Sequence, residues 1–252
     1  MTESTADTNL RIVSLIPSAT DICVHLGLGE FVVGVTHCCD TDNLPSSVVV
    51  VTEDQIHAVS TSQGDIHSKV VENGKKAEEA LGNNDDNNNN ETLCPLTTDE
   101  IPTLYPIQKE LLKKISPTLI ITQDLCHVCA PSSRTVMMAL QEAGIDARVV
   151  LLTPMNLYDV ITNMQQVADA AGISDRGKVL CHELRSNLKL LESIVQEKRS
   201  CKSSTIPKKV LVMEWVDPPF CGGHWIRKLN DCRLLTNTHS RDSFSNILLF
   251  LP

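Results

Sequence analysis

Short apolar runs alternate with longer amphipathic stretches along most of this chain of 252 residues. Apolar runs of about four to eight residues bounded by turn residues are typical of buried strands. They predict strands over residues 11–15, 31–35, 48–51, 118–122, 147–152 and 208–214. Val48 to Val51 is a run of four valines, which predicts a parallel strand buried on both faces.

Between these runs, apolar residues recur at helical spacing. They predict helices over residues 18–26, 106–115, 131–143, 155–171 and 175–199. Gly27, Gly144 and Gly172 follow three of these helices, and glycine is a common helix stop. Ser18 lies three residues before Asp21, a spacing that resembles a capping box and predicts a helix start at Ser18. The alternation of strand, helix and strand predicts a Rossmann-like, doubly wound parallel sheet with helices on both faces.

Residues 60–98 break this pattern. Their centre, residues 82–90, consists of glycine, asparagine and aspartate only. Such a polar tract cannot bury enough apolar surface to offset the entropy lost on ordering. We therefore predict a disordered, Asn-rich insertion inside an N-terminal α/β lobe that spans residues 10–152.

Charge and composition exclude several classes of function. The net charge of -9 repels phosphate backbones, so nucleic acid is not an expected partner. Residues 1–9 have neither the basic start nor the apolar centre of a secretory signal, and the apolar runs are too short to span a bilayer. From the sequence we expect a soluble cytoplasmic protein without membrane insertion, whose ten cysteines are reduced.

Sequence motifs for catalysis are missing. The chain has no G-x-S-x-G, no H-E-x-x-H and no Walker loop. Asp124 could serve as a base, but Cys126 is the one clear nucleophile near it in the sequence. We therefore expect a protein that is not an enzyme, with a cysteine-dependent enzyme as a minor alternative.

Three segments together resemble one family. They are residues 11–21 with 33–40, residues 117–129, and residues 214–220 with the Gly-His-Trp at 223–225. In this order they are similar to the class III periplasmic binding proteins, which are the substrate-binding proteins of iron-siderophore and vitamin B12 uptake, and to their cobalamin-binding-like branch. The resemblance covers about residues 10–55 and 100–229.

This resemblance implies an architecture and a function. In the family, two Rossmann-like lobes are joined by one rigid helix, and the ligand lies between them for delivery to a membrane transporter. It implies a helical spacer over residues 153–205 and an incomplete C-terminal α/β lobe over 206–252, whose tail from about 230 lies outside the resemblance. The ligand implied is a corrinoid or another metal chelate, held without chemistry. The sequence identifies no transporter partner, and it requires no cofactor beyond such a ligand, cobalamin or a metal ion.

The predicted ligand contacts come from loops that directly follow strands, where open α/β sheets bind ligands. In the first lobe they are Ser18, Ala19, Thr20, His37, Asp40 and Asp124. An aromatic wall with a histidine is predicted in the second lobe, from Trp215, Phe220, His224 and Trp225. Two simpler alternatives stay open: the residues at 18–20 are only a helix cap, and the aromatic residues are ordinary core.

The cysteines offer a second hypothesis. Cys126 and Cys129 form a C-x-x-C pair, whose sulfurs can reach one metal ion or each other. Cys39, in preference to the adjacent Cys38, could join this pair, and either His224 or His37 could complete a metal site. The three sulfurs would then lie within roughly 4 Å of one another. The alternatives are reduced thiols that pack as small apolar groups, or a cytosolic thiol or metal-binding protein that uses Cys126 and Cys129.

Overall fold

The structure is a computed structural model, and it describes residues 7–57, 60–81, 103–124, 130–201, 213–216 and 219–221. The strands are β1 (Ile12–Ser14), β2 (Val32–Val35), β3 (Val49–Val50), β4 (Leu119–Thr122), β5 (Arg148–Leu151), β6 (Met213–Val216) and β7 (Pro219–Cys221). The helices are α1 (Pro17–His25), α2 (Gln63–Leu81), α3 (Lys109–Ile115), α4 (Ser133–Ala143), α5 (Leu157–Ala170) and α6 (Ser174–Cys201). The chain divides into two compact units, Met1–Arg185 and Ser186–Pro252.

The first unit is built on a five-stranded sheet with strand order β3-β2-β1-β4-β5. Every pair of neighbouring strands in it is parallel. The central strand β1 pairs with β2 on one side and with β4 on the other, where Ile12 lies opposite Leu119. This order is that of a doubly wound α/β fold, so the predicted fold class is confirmed.

Side chains alternate between the two faces of the sheet, as the pleat of a strand requires. Ile12 of β1 packs with α1 and with Val167 of α5, whereas Val13 packs with α3 and α4. In β4 the same alternation sends Ile121 to the first face and Ile120 to the second. Each face is therefore covered by helices, and burial of these apolar side chains is the main stabilising contribution.

The first unit extends past residue 152, the predicted end of the first lobe. Ala168, Ala171 and Ile173 lie in the core below β1 and β4, and Nη1 of Arg176 donates to the carbonyl of Leu26, at the end of α1, over 3.0 Å. Packing therefore joins α5 and the start of α6 to this unit. Both predicted helices of the 153–205 segment exist, and their role as a spacer stays a prediction.

Two local predictions were wrong. β3 is an edge strand with only two paired residues, and Val50 is 42% exposed, so the valine run is not buried on both faces. α1 begins at Pro17, its N-cap is Ile16, and no side chain caps it. Proline suits the first helical position because it lacks the N–H that would be left unpaired there.

The prediction of disorder over 60–98 was wrong for its first part. Residues 63–81 form α2, and Ser62 and Asp65 cap its start: the Asp65 N–H donates to Ser62 Oγ over 3.2 Å, and that hydroxyl donates to the Asp65 carboxylate over 2.6 Å. Ile66 is buried, and Lys76 pairs with Glu72 one turn away. The cap at the N-terminus of α2 and the burial of Ile66 thus stabilise this helix despite its polar composition. The asparagine tract itself lies outside the described residues.

In the second unit, β6 and β7 form an antiparallel pair. The register places Trp215 opposite Phe220. Of the strand predicted over 208–214, Met213 and Glu214 lie in β6, and residues 208–212 lie outside the described residues. No parallel partner is seen for β6 among the described residues. None of the helices in the described ranges is long and apolar enough to cross a membrane.

Candidate functional site

Four neighbouring strands end in hydroxyl side chains at one edge of the sheet. Ser14 is the last residue of β1 and Thr122 the last of β4, while Thr36 directly follows β2 and Thr52 lies just past β3. All four side chains are buried. Because the strands are parallel, their carboxyl ends meet at this edge, which we call the carboxyl edge.

A hydrogen-bonded cluster joins the loops after β1 and β2. Ser14 Oγ donates to the carbonyl of Ile16 over 2.9 Å, and Thr20 Oγ1 lies 2.8 Å from Ser14 Oγ. Thr20 Oγ1 is also 3.0 Å from the sulfur of Cys39, which is 3.4 Å from Thr36 Oγ1. These contacts hold Cys39 in place between two threonines.

The next residues after β2 form a second cluster. His37 Nδ1 lies 3.2 Å from Thr52 Oγ1, and its Nε2 lies 3.1 Å from the sulfur of Cys38. The ring of Tyr105 packs on the imidazole, with centroids 4.8 Å apart and planes tilted by 33°. Partial burial, the Asp54 carboxylate and Cys39 all raise the pKa of the Cys38 thiol.

At the end of β4, polar groups fix the start of α4. Thr122 Oγ1 donates to the carbonyl of Pro131 over 2.7 Å. The half-buried carboxylate of Asp124 accepts from the Ser133 N–H over 2.7 Å, at the first turn of α4. A carboxylate here is favoured by the unpaired amides and the dipole of the helix.

The structure separates the predicted ligand contacts of the first unit into two groups. Ser18 and Asp40 are exposed, and His37 is half-buried, so all three are open to solvent at the carboxyl edge. Ala19 and Thr20 are buried below it. Their side chains support the edge from below, and their contact with a ligand stays a prediction.

The first backbone amides of α1 are paired within the helix. The amides of Ala19 and Thr20 both donate to the carbonyl of Ile16, over 3.1 and 3.3 Å. Pro17 has no N–H to donate. The first turn thus directs few amides outward, because α1 begins before Ser18.

The remaining predicted site residues stay predictions. Trp215 and Phe220 lie on β6 and β7 as register partners, and their role stays a prediction. Cys126, Cys129, His224 and Trp225 lie outside the described residues, so the three-sulfur site stays a prediction as well. In the part of the chain that the structure describes, no three His, Cys, Asp or Glu side chains are placed to hold a metal ion.

Sequence reasoning missed the buried hydroxyls and Tyr105. A serine or threonine at the end of each apolar run was the available signal for Ser14, Thr36, Thr52 and Thr122. Within the described residues, no buried side-chain nitrogen or oxygen lacks a hydrogen-bond partner. The buried hydroxyls at the carboxyl edge therefore form a layer in which each has a hydrogen-bond partner. A buried hydroxyl that lost its partner would cost about 1–3 kcal/mol.

Two open depressions lie at the opposite edge, where the strands begin. One, of about 590 Å³, is lined by Arg11, Phe31 and Thr118 among others, and the second, of about 560 Å³, by Glu30 and Ser47 among others. We give more weight to the carboxyl edge, because open α/β sheets bind ligands beyond the carboxyl ends of their strands.

No family model matches the chain, and no curated protein matches it. Solved structures do. A possible iron-binding (periplasmic solute-binding) protein from Staphylococcus epidermidis aligns with 90% of this chain and 66% of its own, at 17% identity and a TM-score of 0.51. The periplasmic vitamin B12 binding protein BtuF of Vibrio cholerae aligns with 94% and 72%, at 18% identity and a TM-score of 0.55.

A third structure, an ABC transporter substrate-binding protein from Listeria monocytogenes, aligns with 93% of this chain and 66% of its own, at 12% identity and a TM-score of 0.50. The chain thus spans about two thirds of the length of these three proteins. At such low identity the likeness concerns the fold. The resemblance found in the sequence is confirmed at that level: this chain has the α/β fold of the periplasmic substrate-binding proteins.

Proposed function

We propose that this chain binds a small-molecule ligand at the carboxyl edge of its five-stranded sheet, without chemistry. The observation that carries the proposal is the strand order. β2 and β3 lie on one side of β1, and β4 and β5 lie on the other. The order in which successive strands are added to the sheet therefore reverses between β1 and β4. Open α/β sheets bind ligands at such a point, beyond the carboxyl ends of their strands.

The groups at the carboxyl edge suit a polar ligand with several acceptors and donors. Ser18 follows β1, Asp124 follows β4, and His37 and Asp40 follow the neighbouring β2. They lie above the buried hydroxyl layer, whose hydrogen bonds are internal. Because that layer is already satisfied, ligand binding here does not have to order it, which reduces the entropy lost on binding.

The ligand class comes from the fold and from the family resemblance. The proteins that share the fold are described as binding iron or vitamin B12, or as substrate-binding proteins of ABC transporters. We therefore propose a corrinoid or another metal chelate. On the strength of the resemblance, Trp215, Phe220, His224 and Trp225 remain proposed contacts from the second unit, and Cys39, Cys126 and Cys129 remain proposed metal ligands.

A titration with cyanocobalamin, hemin and a ferric hydroxamate siderophore, followed by calorimetry and native mass spectrometry, tests the proposal. We expect one of these chelates to bind with one-to-one stoichiometry. Failure of all three to bind the folded chain would contradict the ligand class.

A matched pair of variants tests the location. Ser18→Tyr adds bulk to an exposed position at the carboxyl edge, and Ser47→Tyr adds the same bulk to an exposed position at the opposite edge. We expect Ser18→Tyr to weaken binding at least about tenfold, which is about 1.4 kcal/mol, and Ser47→Tyr to leave it unchanged. The reverse result would move the site to the other edge of the sheet.

A further inference from the structure

Helix α6 carries a stripe of apolar side chains along one face, formed by Leu184, Leu188, Leu191 and Val195. Their spacing alternates between four and three residues. Such spacing places side chains on one face of a helix and is typical of helices that pair with another helix. We propose that this stripe packs against the same stripe of a second copy of the chain, with the two helices antiparallel. The proposal does not depend on the proposed ligand.

The earlier part of the same face already packs against a helix. Gly177 and Cys181 precede Leu184 at the same spacing. A Cβ added at Gly177 would lie 2.5 Å from the Cβ of Ala168, and the thiol of Cys181 donates to the carbonyl of Ile161 over 3.1 Å. Both partners belong to α5. Because the contacts move backwards along α5 as they move forwards along α6, the two helices are antiparallel here.

α5 is too short to cover the rest of this face. It has 14 residues, whereas α6 has 28. Cys181 contacts Ile161, which lies four residues after the start of α5 at Leu157. Since both helices rise by the same distance per residue, α5 begins about opposite Arg185. The stripe continues along α6 past this point, where α5 has no residues left to cover it.

Past this point the stripe keeps exposed apolar surface. Leu191 is 50% exposed, and Leu188 and Val195 are half-buried. Ile194, at the border of the stripe, is also exposed. Packing against another apolar face removes this surface from water, which favours association. The stripe from Leu184 to Val195 is only about 17 Å long. Because such an interface is below the standard size, we expect a weak dimer with a Kd in the micromolar range.

The charges beside the stripe favour a second copy as the partner. Arg185 and Glu192 flank the stripe on the same side, seven residues apart. When two stripes pair antiparallel with their apolar residues in register, Arg185 of each copy lies beside Glu192 of the other. The twofold symmetry makes two such pairs of opposite charge. In a parallel pair, Glu192 would instead face Asn187 of the second copy. Flanking charges of this kind set the partner and the orientation of paired helices.

Sedimentation equilibrium of the full chain, over a series from low to high micromolar concentration, tests the proposal. We expect the average mass to rise from 27.7 kDa towards twice that value. Leu191→Glu places a carboxylate in the paired face and should raise the Kd at least about tenfold. Leu190→Glu is the matched control. Leu190 is 59% exposed and lies about 100° around the helix from Leu191, away from the stripe, so this variant should keep the Kd of the wild type.

An exchange of charges tests both the partner and the orientation. Arg185→Glu and Glu192→Arg should each weaken the dimer, because each sets like charges side by side. The double variant should restore the Kd towards that of the wild type, and this recovery also shows that the single variants did not simply unfold. A chain that stays monomeric throughout the series would overturn the proposal. Equal effects of Leu190→Glu and Leu191→Glu would do the same, as would a double variant as weak as the single ones.

Discussion

Gly34 offers the sharpest test of how the sheet is packed. It lies in the middle of β2, opposite Val13 of β1 in the register. A Cβ added there would lie 2.9 Å from Cδ1 of Ile115, 2.9 Å from Cγ1 of Val51 and 3.1 Å from Cγ2 of Val13. All three neighbours belong to the apolar cluster between the sheet and helices α3 and α4.

The expected sign of Gly34→Ala depends on this geometry. Without a clash, alanine would stabilise the strand by about 0.5–1 kcal/mol, because glycine loses more backbone entropy on folding. The end of Ile115 can move, but the two valines are branched at Cβ and have few alternative rotamers. Overpacking of this kind costs about 1–3 kcal/mol. We therefore expect a net loss of about 1–2 kcal/mol in the free energy of unfolding.

Thermal unfolding of the variant, followed by far-UV circular dichroism, measures this loss. For a chain of this size, 1 kcal/mol corresponds to about 2–4 °C in Tm, so Tm should fall by about 2–8 °C. Gly74→Ala in α2 is the matched control, since no atom lies within 4 Å of the added Cβ. It should instead stabilise by up to about 1 kcal/mol, as expected for an open helical position. A Gly34→Ala variant as stable as the wild type would refute the packing described here.

Two further predictions concern a helix cap and a buried thiol. Asn156→Ala should destabilise the protein by about 1 kcal/mol in urea unfolding, because the side-chain oxygen of Asn156 accepts from the Asp159 N–H at the start of α5; an unchanged midpoint would contradict this. Burial raises the pKa of Cys23 from 9.0 to about 12, so the folded state holds this proton more tightly than the unfolded state. The stability this provides is complete below pH 9 and is lost as the pH rises towards about 12. As the pH rises through that range, the free energy of unfolding of Cys23→Ala should therefore fall less than that of the wild type. Equal losses would show that another titrating group dominates the pH dependence.

The location of the site could largely be predicted from the sequence, but few of its side-chain contacts could. The strands that carry it end in the sequence where apolar runs give way to polar residues, so the loops at 18–20, 37–40 and 124 were identifiable in advance. Which of these side chains face solvent was not, because it depends on where α1 begins. A shift of the start to Pro17 turns Ala19 and Thr20 inward and leaves Ser18 exposed.

Apart from α2, the sequence by itself determined the elements of the first unit, the parallel sheet and the edge at which polar loops gather. These follow from the local spacing of apolar residues, which records which side chains are buried. This spacing does not show which other side chains the buried residues pack against. Only the tertiary structure placed β3 at the edge of the sheet, joined Thr20 to Cys39 across 19 positions of the chain, and set His37 between Thr52 and Tyr105. Such contacts depend on strand order and helix phase, and their energies arise only once distant segments have packed together.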